Sequence, residues 1–252
     1  MEHGLGIAWK SVSKTYNDGT VAVNNVSVTA DEHRTLALVG SSGSGKTTLL
    51  QMVNRMVTPN SGTVLIQGQD NQGMNPVTLR RSIGYVLQNG GLLPNKTVLD
   101  NIATVPVLQG TRRKDARVHA LELLDEVGLE KSIQNRYPSE LSGGQQQRVG
   151  VARALAANPE ILLMDEPFAA VDPIVRRNLQ DELLRLQSEI GKTIVFVTHD
   201  IDEAFYLGDK VALLRPGGTL AQVGTARELI DHPADSFVAS FINAGCLRSE
   251  LQ

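Results

Sequence analysis

The chain has 252 residues and a mass of 27.2 kDa; 41% of its residues are hydrophobic and 20% are charged. Its net charge of -3 and pI near 6.0 exclude the strong basic field that draws proteins to nucleic acid or anionic lipid. The single cysteine, Cys246, excludes an intramolecular disulfide framework and a cysteine-rich zinc site. The N-terminus lacks a signal-peptide pattern and no stretch reaches the roughly 18 unbroken apolar residues of a spanning helix, which predicts a soluble, cytoplasmic protein.

The first third of the chain is predicted to be rich in strands. Two loosely alternating, β-branched stretches flank an Asn-Asp-Gly turn, and a short apolar run ending on glycine has the pattern of a buried strand. A helix is predicted from Lys46 to about Met56. The predicted strands cover residues 6–16, 21–30, 35–40, 63–68 and 83–88.

Residues 89–140 differ in character, since a stretch punctuated by Gly and Pro leads into an amphipathic helix ending near Gly128. The apolar face of this helix is predicted from residues at three-residue steps. Those residues are Val118, Leu121, Leu124 and Val127. We interpret the segment as a helical subdomain set into a sheet-bearing core.

After Pro159 strands and helices alternate, which predicts a largely parallel sheet covered by helices. The tail from Thr225 is predicted to be helical. The elements predicted between them are strands at 160–165, 193–200, 210–218 and 219–224 and helices at 173–191 and 201–208.

The sequence GSSGSGKT follows a predicted strand, precedes a predicted helix and matches the phosphate-loop pattern G-x-x-x-x-G-K-[ST]. Backbone N–H groups of such a loop turn inward around an anion, and the helix dipole adds positive charge. Lys46 can reach the β- and γ-phosphates of a nucleoside triphosphate, and the Thr47 hydroxyl suits Mg²⁺. A glycine-rich connector is the competing interpretation. The expected nucleotide contacts are Gly40, Ser41, Ser42, Gly43, Ser44, Gly45, Lys46, Thr47 and Thr48.

Two adjacent carboxylates, Asp165 and Glu166, follow the apolar run at 161–164. The first ends the predicted strand and is expected to face Mg²⁺, whereas the second points elsewhere and can polarise an attacking water. This division favours hydrolysis over binding alone. Two solvated acids at a strand end are the plainer alternative.

A second glycine turn, LSGGQ, begins a predicted helix at residue 141. One nucleotide is already served by the phosphate loop and a carboxylate, so a second turn has little to bind in the same site. Ser142, Gly143 and Gly144 make sense if they contact a nucleotide held by another subunit. The pattern therefore predicts two copies, packed head to tail, that close on two ATP molecules and separate after hydrolysis.

These motifs, with His199 in VFVTHD, resemble the nucleotide-binding subunit of ATP-binding cassette (ABC) transporters over nearly the whole chain. The resemblance implies an α/β P-loop NTPase core of the ABC type, with a mainly parallel sheet, an antiparallel β subdomain and an inserted helical subdomain. One domain over residues 1–252 is then expected. Residues 1–88 and 141–224 would form the nucleotide-binding core with its β subdomain, 89–140 the helical subdomain and 225–252 a short helical tail.

The resemblance also implies roles for single residues. Tyr16 matches the aromatic that stacks on adenine, and Gln88 the glutamine that touches Mg²⁺ or its water and senses the membrane partner. Glu166 matches the catalytic base, Asp172 the loop residue that communicates across the dimer, and His199 the switch histidine near the γ-phosphate. Plainer alternatives are a packing tyrosine, an ordinary strand end and a structural histidine. The catalytic set is Glu166, His199 and Gln88, the metal set is Thr47, Gln88 and Asp165, and Gln145 and Asp172 join the nucleotide contacts.

The stretches around Gln88 and in DEPFAAVDP are most similar to importers of quaternary amines such as glycine betaine, carnitine or choline. Another small-solute importer, for amino acids for example, and a soluble non-transport ABC ATPase are the alternatives. The importer interpretation implies ATP and Mg²⁺ as cofactors and a place at the cytoplasmic face of the cell membrane. Its partners would be transmembrane permease subunits, a second ATPase subunit and, indirectly, an extracytoplasmic solute-binding protein, with no nucleic acid.

Overall fold

The computed structural model describes residues 5–88, 90–169 and 172–249. Within them the strands are β1 (Leu5–Thr15), β2 (Val21–Asp31), β3 (Thr35–Gly40), β4 (Ser61–Ile66), β5 (Gln69–Asp70), β6 (Ile83–Val86), β7 (Ile161–Asp165), β8 (Thr193–Thr198), β9 (Lys210–Arg215) and β10 (Thr219–Gly224). The α-helices of the same residues are α1 (Lys46–Val53), α2 (Pro76–Ser82), α3 (Val98–Ile102), α4 (Thr104–Leu108), α5 (Arg113–Glu126), α6 (Gly143–Leu155), α7 (Pro173–Ile190), α8 (Ile201–Leu207), α9 (Ala226–Asp231) and α10 (Ser236–Ser249). The chain divides into two compact units, Met1–Pro76 with Thr193–Gln252, and Val77–Lys192.

An antiparallel sheet in the order β2-β1-β4-β5 opens the first unit. Its central strand β1 buries Ile7, Trp9 and Val12 completely or nearly so. The Trp9 indole Nε1–H donates to the Leu49 carbonyl at 3.0 Å. This bond satisfies the buried indole and fixes α1 against the sheet.

A second sheet of the first unit runs in the order β10-β9-β3-β8. β3 is parallel to both β8 and β9, and β10 is antiparallel to β9. Every residue of β3 and β8 is buried. Uninterrupted burial is typical of parallel strands covered on both faces, and it explains why these segments read as apolar runs rather than as alternating ones.

The second unit contains the parallel pair β6 and β7 and the helices from α3 to α7. α6 packs on β6 and also contacts α3 and α5. The predicted mixture of parallel strands, an antiparallel sheet and a helical segment is thus confirmed. None of the helices in the described part of the chain combines the length and hydropathy needed to cross a bilayer.

The predicted apolar face of α5 is partly wrong. Val118 is 54% exposed, whereas Leu124 is fully buried. Three-residue steps fall about 60° short of a full helical turn each, so a series of four drifts to the opposite side of the helix. The face that is buried follows steps of three and four, and comprises Ala116, Ala120, Leu123, Leu124 and Val127.

Helix α1 ends at Val53, three residues before the predicted end. The Asn54 side chain accepts a hydrogen bond from the Met56 backbone N–H at 3.1 Å, and Arg55 takes a left-handed backbone with φ +57°. A local side-chain acceptor of this kind competes with helical hydrogen bonding, so the helix stops where the asparagine offers a turn.

Candidate functional site

The phosphate motif forms a tightly seated loop between β3 and α1. Gly45 has φ +87°, and a Cβ there would lie 2.0 Å from the Ala22 carbonyl oxygen. At Gly40 a Cβ would lie 2.5 Å from the Leu214 carbonyl oxygen. The neighbouring strands therefore approach the loop so closely that only glycine fits at these two positions. Such packing is expected of an ordered loop with a fixed conformation and not of a flexible connector.

Lys46, the first residue of α1, lies at the centre of this loop and is only 6% exposed. Its Nζ donates to the Gly40 and Ser41 carbonyl oxygens, both at 2.8 Å, and lies 3.5 Å from Ser44 Oγ. Backbone acceptors thus hold a buried cation where the loop closes. Ser41, Ser42 and Gly43 are exposed around it.

Thr47 and Thr48 follow in the first turn of α1 and are half-buried. The Tyr16 hydroxyl lies 3.3 Å from Thr48 Oγ1, and the ring, 40% exposed, lies 5.5 Å from Lys14 Nζ. Tyr16 directly follows β1. The structure therefore brings a half-exposed aromatic ring to the helix that begins at the phosphate loop.

His199 directly follows β8. Because Val39 of β3 pairs with Thr198 of the parallel strand β8, Gly40 and His199 leave the sheet at the same edge. The imidazole is exposed there. Ligands of parallel α/β sheets bind outside the carboxyl ends of the strands, so the position suits a residue that contacts a bound phosphate.

The carboxylate pair lies in the second unit, at the carboxyl end of β7. Asp165 closes the strand and is 8% exposed, and Glu166 is half-buried with φ +44°. Gln88 Nε2 donates to Glu166 Oε2 at 3.1 Å. A non-glycine residue rarely adopts such a φ, which marks a turn directly after the strand that Asp165 closes.

The second glycine turn forms the start of α6. Ser142 Oγ accepts from the Gln145 backbone N–H at 3.3 Å, and Gln145 Oε1 accepts from the Ser142 backbone N–H at 3.0 Å. This reciprocal capping box fixes the helix start. Ser142 and Gly143 are exposed, and Gly144 is half-buried. A well-formed helix N-terminus is thus presented to solvent.

Asp172 is exposed directly before α7, and its carbonyl accepts from the Arg176 backbone N–H at 2.8 Å. Arg148, on α6, donates through Nη1 to the Gly128 carbonyl at 2.7 Å. Burial lowers the pKa of Arg148, and the negative charge of Asp172 acts in the opposite direction. Sequence analysis had not singled out Arg148.

Two further side chains of α6 that the sequence did not single out, Gln147 and Arg153, contact the backbone on either side of Gln88. A signal was present for Arg153, which is the only polar residue at positions 149–155, but not for Gln147, which lies in the polar run at 145–148. Without the fold, nothing in the sequence connects that stretch to Gln88.

A glycine-bearing phosphate loop at the carboxyl end of a buried parallel strand, followed by a helix, defines a P-loop nucleotide-binding protein of the α/β class. A family model described as ABC transporter matches residues 23–169. This chain belongs to the ABC transporter family.

Relatives of known function are similar over most of this chain. The choline transport ATP-binding protein OpuBA of Bacillus subtilis is 48% identical over 92% of the chain and 61% of its own length. The carnitine transport ATP-binding protein OpuCA of Listeria monocytogenes is 46% identical over 94% of the chain and 59% of its own length. The glycine betaine uptake system ATP-binding protein YehX of Escherichia coli is 45% identical over 97% of the chain and 78% of its own length. The chain thus spans about three fifths of the length of the first two relatives.

Solved structures agree in fold. The ATP-binding cassette MJ0796, described as a dimer in a post-hydrolysis state bound to ADP and Pi, superposes with a TM-score of 0.81 at 35% identity, covering 87% of this chain and 98% of that one. The cbiO1 protein of Clostridium perfringens, part of the transporter complex cbiONQ, has a TM-score of 0.79 at 27% identity, covering 91% and 92%. The ABC-type α/β fold predicted from the sequence is confirmed.

Proposed function

We propose that the chain is the ATP-hydrolysing subunit of an ABC importer for quaternary amines such as glycine betaine, carnitine or choline. The built phosphate loop with Lys46 at its centre carries the proposal. The relatives of this chain are named as ATP-binding proteins of choline transport, carnitine transport and glycine betaine uptake. The solute class follows from those names and from the resemblance carried by the stretches around Gln88 and in DEPFAAVDP.

ATP binding is assigned to the first unit. The loop backbone would cradle the phosphates, and Lys46 would exchange its two carbonyl acceptors for β- and γ-phosphate oxygens, which are stronger partners for an ammonium. Tyr16, already half-exposed beside α1, would stack on the adenine. His199 would contact the γ-phosphate from the same sheet edge as the loop.

Mg²⁺ suits the residues predicted to hold it, because Thr47, Gln88 and Asp165 offer hydroxyl, amide and carboxylate oxygens. Hard oxygen donors of this kind, completed by phosphate and water, are those that Mg²⁺ prefers. When bound, the ion neutralises charge on the transferred phosphate. The near-complete burial of Asp165 means that its charge requires a cation or hydrogen-bond donors around it.

Glu166 is the proposed general base. A water oxygen attacks the γ-phosphorus, the bond from that phosphorus to the β,γ-bridging oxygen breaks, and ADP leaves with the bridging oxygen. The proton of the water passes to the Glu166 carboxylate, which Gln88 orients through its 3.1 Å hydrogen bond.

Replacing Glu166 by Gln tests the assignment. We expect kcat for ATP hydrolysis to fall by a factor of about 10² or more, with ATP affinity within about twofold of wild type, because only the proton acceptor is lost. Glu122→Gln, an exposed glutamate on α5, is the matched control and should hydrolyse normally. Wild-type turnover by Glu166→Gln would assign the proton to another group, and an inactive wild type would remove the ATPase function itself.

The exposed helix start at Ser142 is assigned to the nucleotide of a second copy of the chain. The dimeric description of the cassette bound to ADP and Pi supports this arrangement. Two copies would then close on two ATP molecules, each held by the phosphate loop of one and the glycine turn of the other. Loss of the γ-phosphate on hydrolysis would release the contact.

Docking on the permease is assigned to the helical part of the second unit, which would place the chain at the cytoplasmic face of the membrane. A cavity of about 320 Å³ lies there, lined by Lys96, Asp100, Val107, Leu108, Arg113 and Tyr137 among others. Val107, Leu108 and Tyr137 are exposed apolar or aromatic residues at its wall. A short amphipathic helix of a permease could bury these side chains and pair with the charges.

Leu108→Asp tests the docking surface. It should reduce co-purification with a detergent-solubilised permease partner, while ATP affinity stays unchanged, because a charge would enter an apolar contact. Ile230→Asp is the control, since Ile230 has the same 52% exposure on α9 of the first unit. Equal capture of both variants would place the docking surface elsewhere.

Uptake of labelled glycine betaine, with methionine as competitor, by the reconstituted complex with its binding protein would then test the solute class.

A further inference from the structure

Helix α6 holds the backbone that follows Gln88. Arg153 Nη2 donates to the Gly90 carbonyl at 2.9 Å, and its Nη1 donates to the Gly91 carbonyl at 2.7 Å. One planar guanidinium thus bridges two consecutive carbonyl oxygens through two separate nitrogens. We call the stretch from Leu87 to Gly91 the Gln88 segment; Asn89 lies outside the described residues.

The other end of the Gln88 segment also meets α6. Gln147 Nε2 lies 3.5 Å from the Leu87 carbonyl oxygen, a long hydrogen bond, and the Gln147 side chain is 1% exposed. Gln147 and Arg153 are six residues apart, about 120° around the helix, and Gly150 lies between them at three residues from each. The helix therefore contacts the segment both before and after Gln88.

Contact between the two backbones is closer than side chains allow. A Cβ at Gly150 would lie 2.9 Å from both Gly90 Cα and the Gly90 carbonyl oxygen. A Cβ at Gly90, which has φ +69°, would lie 2.6 Å from the Gln146 carbonyl oxygen. A glycine in the middle of a helix makes the helix less stable than an alanine would. At position 150 the glycine is needed because the Gly90 backbone lies too close to leave room for a side chain.

Arg153 is half-buried, and burial lowers the pKa of its guanidinium, which nevertheless stays charged at neutral pH. Placing a charge in such surroundings costs free energy unless its donors are satisfied. Two carbonyl oxygens of the Gln88 segment accept hydrogen bonds from the guanidinium, so the segment and the arginine stabilise one another.

We propose that Arg153 is a positioning residue for hydrolysis: with Gly150 it fixes the Gln88 segment on α6, so that Gln88 is held at Glu166 by the helix whose N-cap is Ser142. The proposal rests on the roles assigned above to Gln88 and Glu166. Its consequence is that the glycine turn and Gln88 are attached to one rigid element. A displacement of the helix start on contact with a second copy is transmitted to the group that orients the base.

The test is a double-mutant cycle in ATPase kcat with Arg153→Lys and Gln88→Ala in the full chain. Lysine keeps the charge but replaces the two donor nitrogens of the planar guanidinium by a single nitrogen, so we expect kcat to fall about tenfold, with ATP affinity and thermal midpoint close to wild type. In the Gln88→Ala background the same change should cost less than about twofold, because the residue through which Arg153 acts is absent. Arg227→Lys, at an exposed position on α9, is the control and should change nothing.

Gly150→Ala keeps the proposal testable if Arg153→Lys folds poorly. Alanine favours the helix, yet its methyl group displaces the Gln88 segment, so kcat should fall and the fall should again disappear in the Gln88→Ala background. The positioning role would be overturned if each variant lowered kcat by the same factor in the wild-type and Gln88→Ala backgrounds. It would also be overturned if kcat were unchanged in both variants. Wild-type kcat in Gln88→Ala alone would instead contradict the function proposed for Gln88.

Discussion

At the level of single residues, the state of Lys46 decides how the phosphate loop works. Its ammonium is buried and held by two carbonyl oxygens of its own loop. Neutral carbonyls are weaker acceptors for a cation than phosphate oxygens. In the proposed function, the loop therefore holds a cation in position for a triphosphate, and phosphate oxygens would replace the weaker carbonyl partners without a large movement of the charge.

Lys46→Ala should weaken ATP binding by roughly tenfold to a hundredfold, the range expected when a hydrogen bond to a charged group is removed from a buried site. Equilibrium binding of a fluorescent ATP analogue measures the change. Lys210→Ala removes a lysine from an exposed pair with Asp31 and should bind normally. Unchanged affinity in Lys46→Ala would contradict the assigned role.

At the level of elements, α5 shows how a helix is anchored by one face. Leu124 is fully buried, whereas Val118 on the same helix is 54% exposed. Leu124→Ala should lower the free energy of unfolding by about 2–4 kcal/mol through lost burial and a cavity. Val118→Ala should stay within about 0.5 kcal/mol, since alanine is the better helix former and little burial is lost. Urea denaturation of both variants measures this, and equal losses would contradict the observed face.

Helix α3 is joined to α5 by an ion cluster that depends on pH. Burial raises the pKa of Asp100, but hydrogen bonds from Arg113 and Arg117 outweigh that effect and hold it below the ordinary value of 3.8. A carboxyl group with a lowered folded-state pKa stabilises the fold above its unfolded pKa, and the contribution is lost as the pH falls through the folded-state value.

Asp100→Asn should therefore lower the free energy of unfolding by about 1–2 kcal/mol at pH 7. The expected loss is small because Arg113 is 69% exposed, so solvent screens its attraction to Asp100. The difference from wild type should shrink as the pH is lowered from 7 to below the ordinary aspartate pKa of 3.8 and through the lowered folded-state pKa, where the wild-type carboxylate becomes protonated. Denaturation curves at both ends of this range provide the measurement. A difference that persists undiminished at low pH would assign the effect to packing.

For the whole molecule, the proposed function predicts association of two copies that depends on the γ-phosphate. Ser142→Asp keeps a good N-cap on α6 but brings a negative charge to the surface assigned to the phosphate of the other copy. In the Glu166→Gln background with ATP, we expect a dimer on a sizing column, and Ser142→Asp should return it to monomer. Thr225→Asp makes the same change at the capping box of α9 and should leave the dimer intact. A dimer formed equally with ADP would contradict the mechanism.

The sequence by itself determined the local features of this protein. The phosphate loop, the buried strands and the capped helix at Ser142 each depend on residues a few positions apart, so spacing and residue type specify them. The strand that ends at Asp165 is also local, because an apolar run followed by two acids marks its end. The ABC fold could be predicted because all these signals occur in one order along the chain.

Tertiary structure alone decided the features that join distant residues. The buried side of α5 depends on what packs against the helix, which three-residue spacing could not foresee. The grip of Arg153 on Gly90 and Gly91 spans more than sixty positions of sequence. An arginine can donate to any carbonyl oxygen that lies within about 3 Å. Which carbonyl oxygens lie that close is decided by the tertiary packing, so the sequence alone does not predict the partner.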